Sequence, residues 1–236
     1  KSVTAITGTE AQVKLLADNG LNLSSTVAVT ITGTIAAADV DALNDVASQT
    51  SGKVTATVSG LSSDLKDLTT ASTDAITIKV TGTTATATDL KDLDGKTSVV
   101  VDAKTITTIE SSAVNAADVI TVLDAKTIAK AADVAVTIDP ADDVTAVQAN
   151  SIAKLTTGVV TATVEAGSAS YLNTTLKDAK GTDALTLTVN GTTASAVDLN
   201  ALDGKTSEKV IVKATTTVTG SYDNLVTIYD TNSTHF

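Results

Sequence analysis

The chain contains no cysteine, methionine or tryptophan, and only one proline and one phenylalanine in 236 residues. The absence of cysteine excludes disulfide bonds as a source of stability. The absence of methionine indicates a processed product or a piece of a larger protein. Aromatic residues make up 2% of the chain, so aliphatic side chains must fill the core. Small β-branched residues favour a narrow, regularly layered interior.

Positive charge is also restricted, because every basic residue is a lysine and none is an arginine. The formal net charge is −11, and arginine is the side chain best suited to bind phosphate groups in pairs of hydrogen bonds. An acidic surface without arginine repels polyanions, so the sequence predicts no nucleic-acid partner. It contains no apolar run long enough to predict a transmembrane segment, and no pattern that predicts a signal peptide.

Two long blocks of the sequence are similar to each other. The segment AITIKVTGTTATATDLKDLDGKTS at 75–98 matches ALTLTVNGTTASAVDLNALDGKTS at 184–207. VAVTI occurs at 27–31 and again at 134–138, and VTATV occurs at 54–58 and again at 160–164. We therefore predict a single elongated repeat domain over 1–236, with two homologous blocks at approximately 1–107 and 108–236.

A shorter repeat of about 22–27 residues lies inside each block. Each short repeat opens with alternation such as VTATV at 54–58, which is typical of a half-buried strand. A Gly-Thr or Gly-Ser turn follows, and then an Ala-rich segment with Leu or Val spaced three residues apart, which predicts a short amphipathic helix. The longest gap, between Val99 and Val134, predicts one degenerate repeat around VLDAKTI.

Stacking these strand–turn–helix coils predicts an α/β solenoid, with a parallel sheet backed by short helices. The alternative is a right-handed parallel β-helix, in which the Ala-rich segments are additional strands or bends. The competition between helix-favouring Ala and Leu and the many Thr and Asp residues leaves both architectures open.

Three phrases carry a resemblance: ITGT…AADVDAL, VTGTTATATDLKDLDGKTS and VVVDAKTITTI. They resemble repeat regions of large secreted or surface proteins, RTX-like or adhesin-like, of marine cyanobacteria and other aquatic bacteria. The resemblance implies an extracellular or cell-surface structural role and no activity. The Gly-Gly-x-Gly-x-Asp calcium repeat of RTX proteins is absent here, so the resemblance does not carry calcium-dependent folding over to this chain.

The phrase DLKDLDGKTS, at 89–98, resembles the beginning of a calcium loop. A calcium loop needs further oxygen ligands and a glutamate in register, which are missing, and the second copy has Ala201 where the first has Asp92. Ca²⁺ is thus possible but unsupported by a complete motif, and we predict no cofactor. We interpret the phrase as a structural joint, in which Leu90 and Leu93 pack inward and Gly95 ends a helix in the left-handed conformation.

Other candidate residues also favour structural roles. Pro140, with Asp139 and two further acids beside it, predicts a helix start. The lone His235, without cysteine, completes neither a catalytic triad nor a closed metal site, so we predict no catalytic residue and no enzyme. The three tyrosines are interpreted as core fillers or local caps: Tyr171, Tyr222 and Tyr229. Four asparagines begin possible glycosylation sequons: Asn22, Asn173, Asn190 and Asn232.

Threonines that alternate with buried positions form the candidate binding surface. They are Thr55, Thr57, Thr77, Thr161, Thr163, Thr186 and Thr188. Strands about 4.8 Å apart and in register would place them in ladders that can order water, as ice-binding proteins do. The simpler interpretation is that threonine suits an exposed sheet face. Lys79, Asp139 and Lys213 interrupt the ladders.

The sequence therefore predicts a non-enzymatic extracellular structural repeat protein. It would act as a spacer, an adhesin stalk, or a self-assembling fibre or surface-layer subunit. Its partner would be itself, head to tail, or flanking repeats of the same parent chain, because the first and last coils still follow the repeat. The alternative is a binding module whose Thr-rich sheet face recognises a glycan, an ice or mineral surface, or a partner protein.

Overall fold

The computed structural model describes residues 3–18, 26–111 and 116–231. The contacts divide the chain into two compact units. Unit 1 comprises 1–108 and 125–131, and unit 2 comprises 109–124 and 132–236. Both units are built of parallel strands backed by helices, so the α/β class with parallel sheets is confirmed. The homology of the two sequence blocks stays a prediction.

Strands and helices alternate along most of the chain. The strands are β1 (Ala5–Thr9), β2 (Ala28–Ala36), β3 (Val54–Gly60), β4 (Ala75–Val80), β5 (Thr84–Thr86), β6 (Val101–Asp102), β7 (Thr108–Glu110), β8 (Ile128–Ala129), β9 (Ala135–Thr137), β10 (Val160–Gly167), β11 (Ala184–Val189), β12 (Thr193–Ser195) and β13 (Thr217–Thr219). The helices are α1 (Glu10–Asp18), α2 (Val40–Ser48), α3 (Ser62–Leu65), α4 (Ala87–Asp94), α5 (Ala116–Asp124), α6 (Ala146–Leu155), α7 (Ala169–Thr175), α8 (Ala196–Asp203) and α9 (Tyr222–Val226). A 3₁₀ turn (Ala37–Asp39) precedes α2, and a π-helical turn (Thr227–Thr231) follows α9.

The sheet of unit 1 has the strand order β1-β2-β3-β4-β6-β8, and all of its neighbours are parallel. In β3, Val54, Ala56 and Val58 are buried while the threonines between them are half-buried, as the alternation predicts. Strand β8 lies within the predicted degenerate repeat around VLDAKTI and pairs with β6. The long gap in the sequence pattern therefore holds a further sheet-forming segment, β8, in addition to β7.

In unit 2 a second sheet contains neighbouring strands in the order β11-β10-β9-β7, and β12 pairs separately with β13. Helices α5 to α9 contact one another in chain order. The strand interior is aliphatic: Leu185, Leu187 and Val189 of β11 are buried in alternation with half-buried neighbours.

The Ala-rich segments are helices, so the additional strands that the β-helix alternative placed there are absent. In α4 the hydroxyl of Thr86 accepts a hydrogen bond from the backbone N–H of Asp89 at 3.1 Å, which caps the helix start. Leu90 and Leu93 are buried as predicted. In α6, Thr145 and Gln148 form a reciprocal capping box. A buried apolar stripe is common to α2, α4, α6 and α8, and side-chain caps add to it in α4 and α6.

One prediction about the helix ends is wrong. Gly95 and Gly204 both have a φ of −70°, which is right-handed helical backbone rather than the left-handed conformation. The glycines with positive φ lie in the Gly-Thr turns instead: Gly33 (89°), Gly82 (87°) and Gly191 (95°). The helical turn continues through Gly95, because its N–H donates to the carbonyl of Lys91 at 3.2 Å and the next N–H, of Lys96, donates three residues back to Leu93 at 3.0 Å.

The predicted helix start at Pro140 is also wrong. The carboxylate of Asp139 accepts from the N–H of Ala141 at 2.9 Å, and its carbonyl accepts from the N–H of Asp142 at 2.9 Å, so these residues form a turn. Val144 then pairs with Val164 as an isolated bridge. That pairing holds the backbone extended, and the helix starts only after it, at α6.

The tyrosines do not fill the core. Tyr171 is 48% exposed, Tyr229 is 69% exposed and Tyr222 is 80% exposed. Aliphatic side chains fill the core between strands and helices instead. Among the described residues, no helix has the length and apolar character needed to cross a membrane.

Candidate functional site

The candidate threonines alternate with the buried residues of their strands in both sheets. Thr161 is exposed and the other six are half-buried. In unit 1, Thr57 lies between Thr34 and Thr77 on neighbouring strands, and Thr55 pairs with Thr30. Each side chain therefore has a threonine neighbour one strand away, at about 4.8 Å backbone spacing. The register thus forms two short threonine rows in unit 1.

These rows are short and are interrupted. On its other side Thr55 meets Ala75, and beyond Thr77 the same face carries Lys79, which pairs with Asp102. In unit 2 the threonines are Thr161, Thr163, Thr186 and Thr188, of which Thr163 and Thr186 pair with each other. Thr161 pairs with Thr137 and Ala184, and Thr188 with Ile211. The structure therefore brings together pairs of the predicted threonines rather than one continuous plane.

A buried carboxylate forms a joint between consecutive coils in each unit. Asp74 stands directly before β4, and its two oxygens accept from the N–H groups of Val54 and Ala71, both at 2.8 Å. Asp183 stands directly before β11 and accepts from the N–H groups of Val160, at 3.0 Å, and Lys180, at 2.9 Å. The carboxylate thus holds its own turn together and also binds the first residue of the preceding coil's strand.

A buried hydroxyl completes the joint. Thr97 donates from its Oγ1 to the carbonyl of Ile76 at 2.6 Å, and accepts from the N–H groups of Ile76 and Val99 at 3.1 and 3.0 Å. Thr206, the matching residue of the second copy, repeats the arrangement with Leu185 and Glu208 at 2.7, 3.0 and 3.0 Å. These two threonines belong to the repeated Asp-Gly-Lys-Thr-Ser phrase, so that phrase is a structural joint.

Two other helix-to-strand turns use threonine in a related way. Thr50 donates to the carbonyl of Val27 at 2.6 Å and accepts from the N–H of Gly52 at 2.9 Å. Thr156 donates to the carbonyl of Val134 and accepts from the N–H of Gly158 at 3.0 Å. In each turn the hydroxyl bonds the backbone of the preceding coil just before its strand begins.

Asparagines on α2, α6 and α7 bridge to the next coil. Asn44 donates its Nδ2 to the carbonyl of Asp67, and Asn150 donates to the carboxylate of Asp178, both at 2.8 Å. Asn173 donates to the carboxylate of Asp198 at 2.9 Å. The predicted glycosylation sequon at Asn173 is therefore occupied by a structural bond. Asn190 is exposed and donates to the carbonyl of Ala166 at 3.1 Å, whereas Asn22 and Asn232 lie outside the described residues.

The sequence reasoning missed Asp74, Asp183 and the asparagine bridges. A signal for the carboxylates was present, because Thr73-Asp74 and Thr182-Asp183 extend the internal match toward the N-terminus. Their bonding partners lie far upstream in the chain, at Val54 and Val160, and nothing local marks those partners.

The acidic side chains of 89–98 and 139–143 do not converge on one point. Among the described residues, no group of three or more histidine, cysteine, aspartate or glutamate side chains is placed to hold a metal ion. Asp94 accepts from the hydroxyl of Thr127 at 2.8 Å, and Asp139 forms the turn described above. His235 lies outside the described residues.

If the joint stabilises the fold, substitution of Thr206 should lower the free energy of unfolding. Replacing Thr206 by Val keeps the volume but leaves the N–H groups of Leu185 and Glu208 without their acceptor, so we expect a loss of about 2 kcal/mol in unfolding free energy. Chemical denaturation followed by circular dichroism measures the change. Thr206→Ser should recover most of the loss. Thr161→Val, on the exposed face, should change stability by less than about 0.5 kcal/mol. Equal losses for Thr206→Val and Thr161→Val would contradict the joint.

The sequence matches no known family model, no curated protein and no solved structure.

Proposed function

We propose that this chain is a non-enzymatic, extracellular structural repeat protein. Its strand–helix coils form an α/β solenoid that stacks head to tail, on a second copy or on flanking repeats of a parent chain. The observation that carries this proposal is the double occurrence of one buried joint, Asp74 with Thr97 and Asp183 with Thr206. The polar side chains that the two copies share thus fasten one coil to the next.

The first described strand supplies an edge for such stacking. The carbonyl of Thr4 accepts from the N–H of Ala28 at 3.1 Å, so Thr4 and the alternate residues after it direct their backbone groups toward β2. The backbone groups of Ala5 and Thr7 consequently point away from β2. An outward row of N–H and C=O groups on a parallel edge strand can pair with another strand.

The apolar layer also continues to this edge. In the first coil, Val3 is 58% exposed, Leu15 is 63% exposed and Leu16 is partly exposed, while Val13 is buried. In the coils that follow, strand and helix side chains such as Val29 and Leu43 are fully covered by their neighbours. A further coil placed against β1 and α1 would cover these exposed side chains and stabilise the assembly through their burial.

A second candidate function rests on the threonine rows. Thr34, Thr57 and Thr77 lie side by side on neighbouring strands, and they present hydroxyl and methyl groups at the regular spacing of the strands. Such a surface suits a regular partner, which could be a glycan, an ice or mineral surface, or a partner protein. The rows are short and interrupted, so we place this function second.

The experiment targets the outward edge. Thr7→Pro removes an outward N–H without removing a bond to β2, because proline is tolerated on edge strands. We expect the wild-type chain to show a mass that rises with concentration in sedimentation velocity, and ordered filaments in negative stain. Thr7→Pro should raise the concentration needed for assembly by about tenfold.

Thr7→Val is the matched control, because it keeps the N–H and should assemble like the wild type. A wild-type chain that stays monomeric at every concentration would contradict head-to-tail stacking. Monodisperse particles that bind components of a glycan array would instead favour the threonine surface as the functional feature.

A further inference from the structure

Three lysines surround one open cavity in unit 1, on a chain whose net charge is −11. The cavity has a volume of about 400 Å³ and is lined by Lys66, Lys91, Asp92, Gly95 and Lys96. Lys66 directly follows α3, Lys91 and Asp92 belong to α4, and Gly95 and Lys96 follow α4. The charged groups of this lysine cavity sum to a local positive charge, which is opposite in sign to the charge of the whole chain.

The second copy carries different residues at several of these positions. In the alignment of 75–98 with 184–207, Lys91, Asp92 and Lys96 correspond to Asn200, Ala201 and Lys205. Lys66 follows a fully buried leucine of α3, as Asn173 follows a fully buried leucine of α7. The first copy thus carries lysines at two positions where the second copy carries asparagines.

In the second copy these side chains are engaged in bonds between coils. Asn173 donates to the carboxylate of Asp198 at 2.9 Å, and Asn200 donates to the carbonyl of Asn224 at 3.1 Å. Lys205 donates its Nζ to the carbonyl of Leu176 at 2.9 Å. Within the part of the chain that the structure describes, the Nζ groups of Lys66 and Lys96 form no hydrogen bond and no ion pair.

We infer that the lysine cavity of unit 1 binds a tetrahedral oxyanion, namely a phosphate group. Ammonium groups around one cavity repel one another, and a doubly charged anion between them offsets that repulsion. It also accepts hydrogen bonds from Lys66 and Lys96, whose Nζ groups have no other partner among the described residues, while Lys91 contributes its charge. Lysine binds phosphate as a compact point charge with rotatable donors, so arginine is not required. The cavity volume lies within the range of small-ligand sites.

The overall charge of the chain restricts the class of anion that can bind in the cavity. The net charge of −11 repels long polyanions, so a single phosphate group fits better than a charged polymer. The group could be a free ion or the ester of a sugar, and both present the same oxygens to the three lysines. This inference is independent of head-to-tail assembly, because the lysine cavity does not involve β1.

The test is a titration followed by amide chemical shifts in two-dimensional NMR. Inorganic phosphate and glucose 6-phosphate are added in separate arms at constant ionic strength. We expect saturable shifts at Gly95 and Lys96, and no comparable shifts at Gly204 and Lys205, which are the internal control. A lower dissociation constant for glucose 6-phosphate would identify the sugar ester as the preferred ligand. A lower dissociation constant for inorganic phosphate would identify the free ion.

The cavity is tested by variants in which a residue of the first copy is replaced by the residue that the second copy has at the matching position. Lys66→Asn and Lys91→Asn should each weaken phosphate binding by about fivefold to tenfold. Asp92→Ala removes a negative charge and should tighten binding by about threefold. Lys104→Asn changes the net charge equally at an exposed position of unit 1 and should alter the affinity by less than about twofold.

The spectrum of each variant also reports whether it is folded. If Lys66→Asn does not fold, Lys91→Asn and Asp92→Ala still decide the question. An absence of saturation up to about 50 mM phosphate, equal shifts at Gly95 and Gly204, or an unchanged affinity for Lys91→Asn would each overturn the inference.

Discussion

Replacing Asp183 by Ala is expected to lower the unfolding free energy of unit 2 by about 3–4 kcal/mol. The side chain is 0% exposed, and its two oxygens accept from the N–H groups of Val160 and Lys180. Alanine would leave both donors buried without an acceptor and would open a small cavity. Urea denaturation followed by circular dichroism measures the loss.

Conservative and exposed substitutions separate the bonding role from a general loss of charge. Asp183→Asn keeps one acceptor oxygen, so we expect an intermediate loss of about 2 kcal/mol. Asp133→Ala removes the same charge at an exposed position and should change stability by less than about 0.5 kcal/mol. If Asp183→Ala unfolded at the same urea concentration as Asp133→Ala, the buried joint would not be a source of stability.

Asp74→Ala provides the parallel case in unit 1. Asp74 accepts from the N–H groups of Val54 and Ala71 with the same geometry, so a loss of similar size is expected there. Because the two carboxylates lie in different units, each variant should shift mainly the unfolding of its own unit. A trypsin-cleavage pattern under partial denaturation would show which unit opens first.

Replacing Gly158 by Ala is expected to destabilise unit 2 by about 3 kcal/mol or more. A Cβ atom at this position would lie 2.5 Å from the carbonyl oxygen of Val134, and closer still to that of Asp133. Both atoms belong to the backbone of the preceding coil, so no side-chain rotation can relieve the overlap. In unit 1, Gly52 faces the backbone of Val27 in the same way. Thermal unfolding followed by circular dichroism measures the effect.

Gly204→Ala is the matched control, with the opposite expected sign. Gly204 has a φ of −70°, and the nearest atom to an added Cβ is the carbonyl oxygen of Ala201 at 3.6 Å. An alanine that fits without strain reduces the entropy of the unfolded chain, so we expect a gain of about 0.5 kcal/mol. Stabilisation by Gly158→Ala would contradict the close approach of the two coils at this turn.

Local patterns in the sequence were sufficient for the repeated elements. The alternation of Val, Thr and Ala predicts β3 and β10, because side chains of a strand point to opposite faces with a period of two. The spacing of Leu90 and Leu93 predicts the buried stripe of α4. The parallel sheets backed by helices then follow, because coils of this kind bury their apolar faces only against one another.

These local patterns do not predict the joints between coils. Asp74 and Thr97 belong to different coils, and both bond to backbone groups that lie a whole coil away in the sequence. The sequence does not distinguish a buried aspartate from an exposed one. Only the packed structure shows which aspartates lose their contact with water. The half-buried threonines and the exposed tyrosines depend on packing in the same way.

The sequence by itself determined the period of the coils, the faces of the strands and the stripe of each helix, because these properties depend on residues close together in the chain. Only the tertiary structure decided that Asp183 and Thr206 bond the preceding coil, that Gly95 stays right-handed, and that lysines meet at one cavity. The bonds of Asp183 and Thr206 are set by the register between coils, and the lysine cavity is set by the packing of α3 against α4. Both therefore depend on residues that lie far apart in the sequence. The backbone of Gly95 follows the hydrogen bonds at the end of α4, which the residue type alone does not specify.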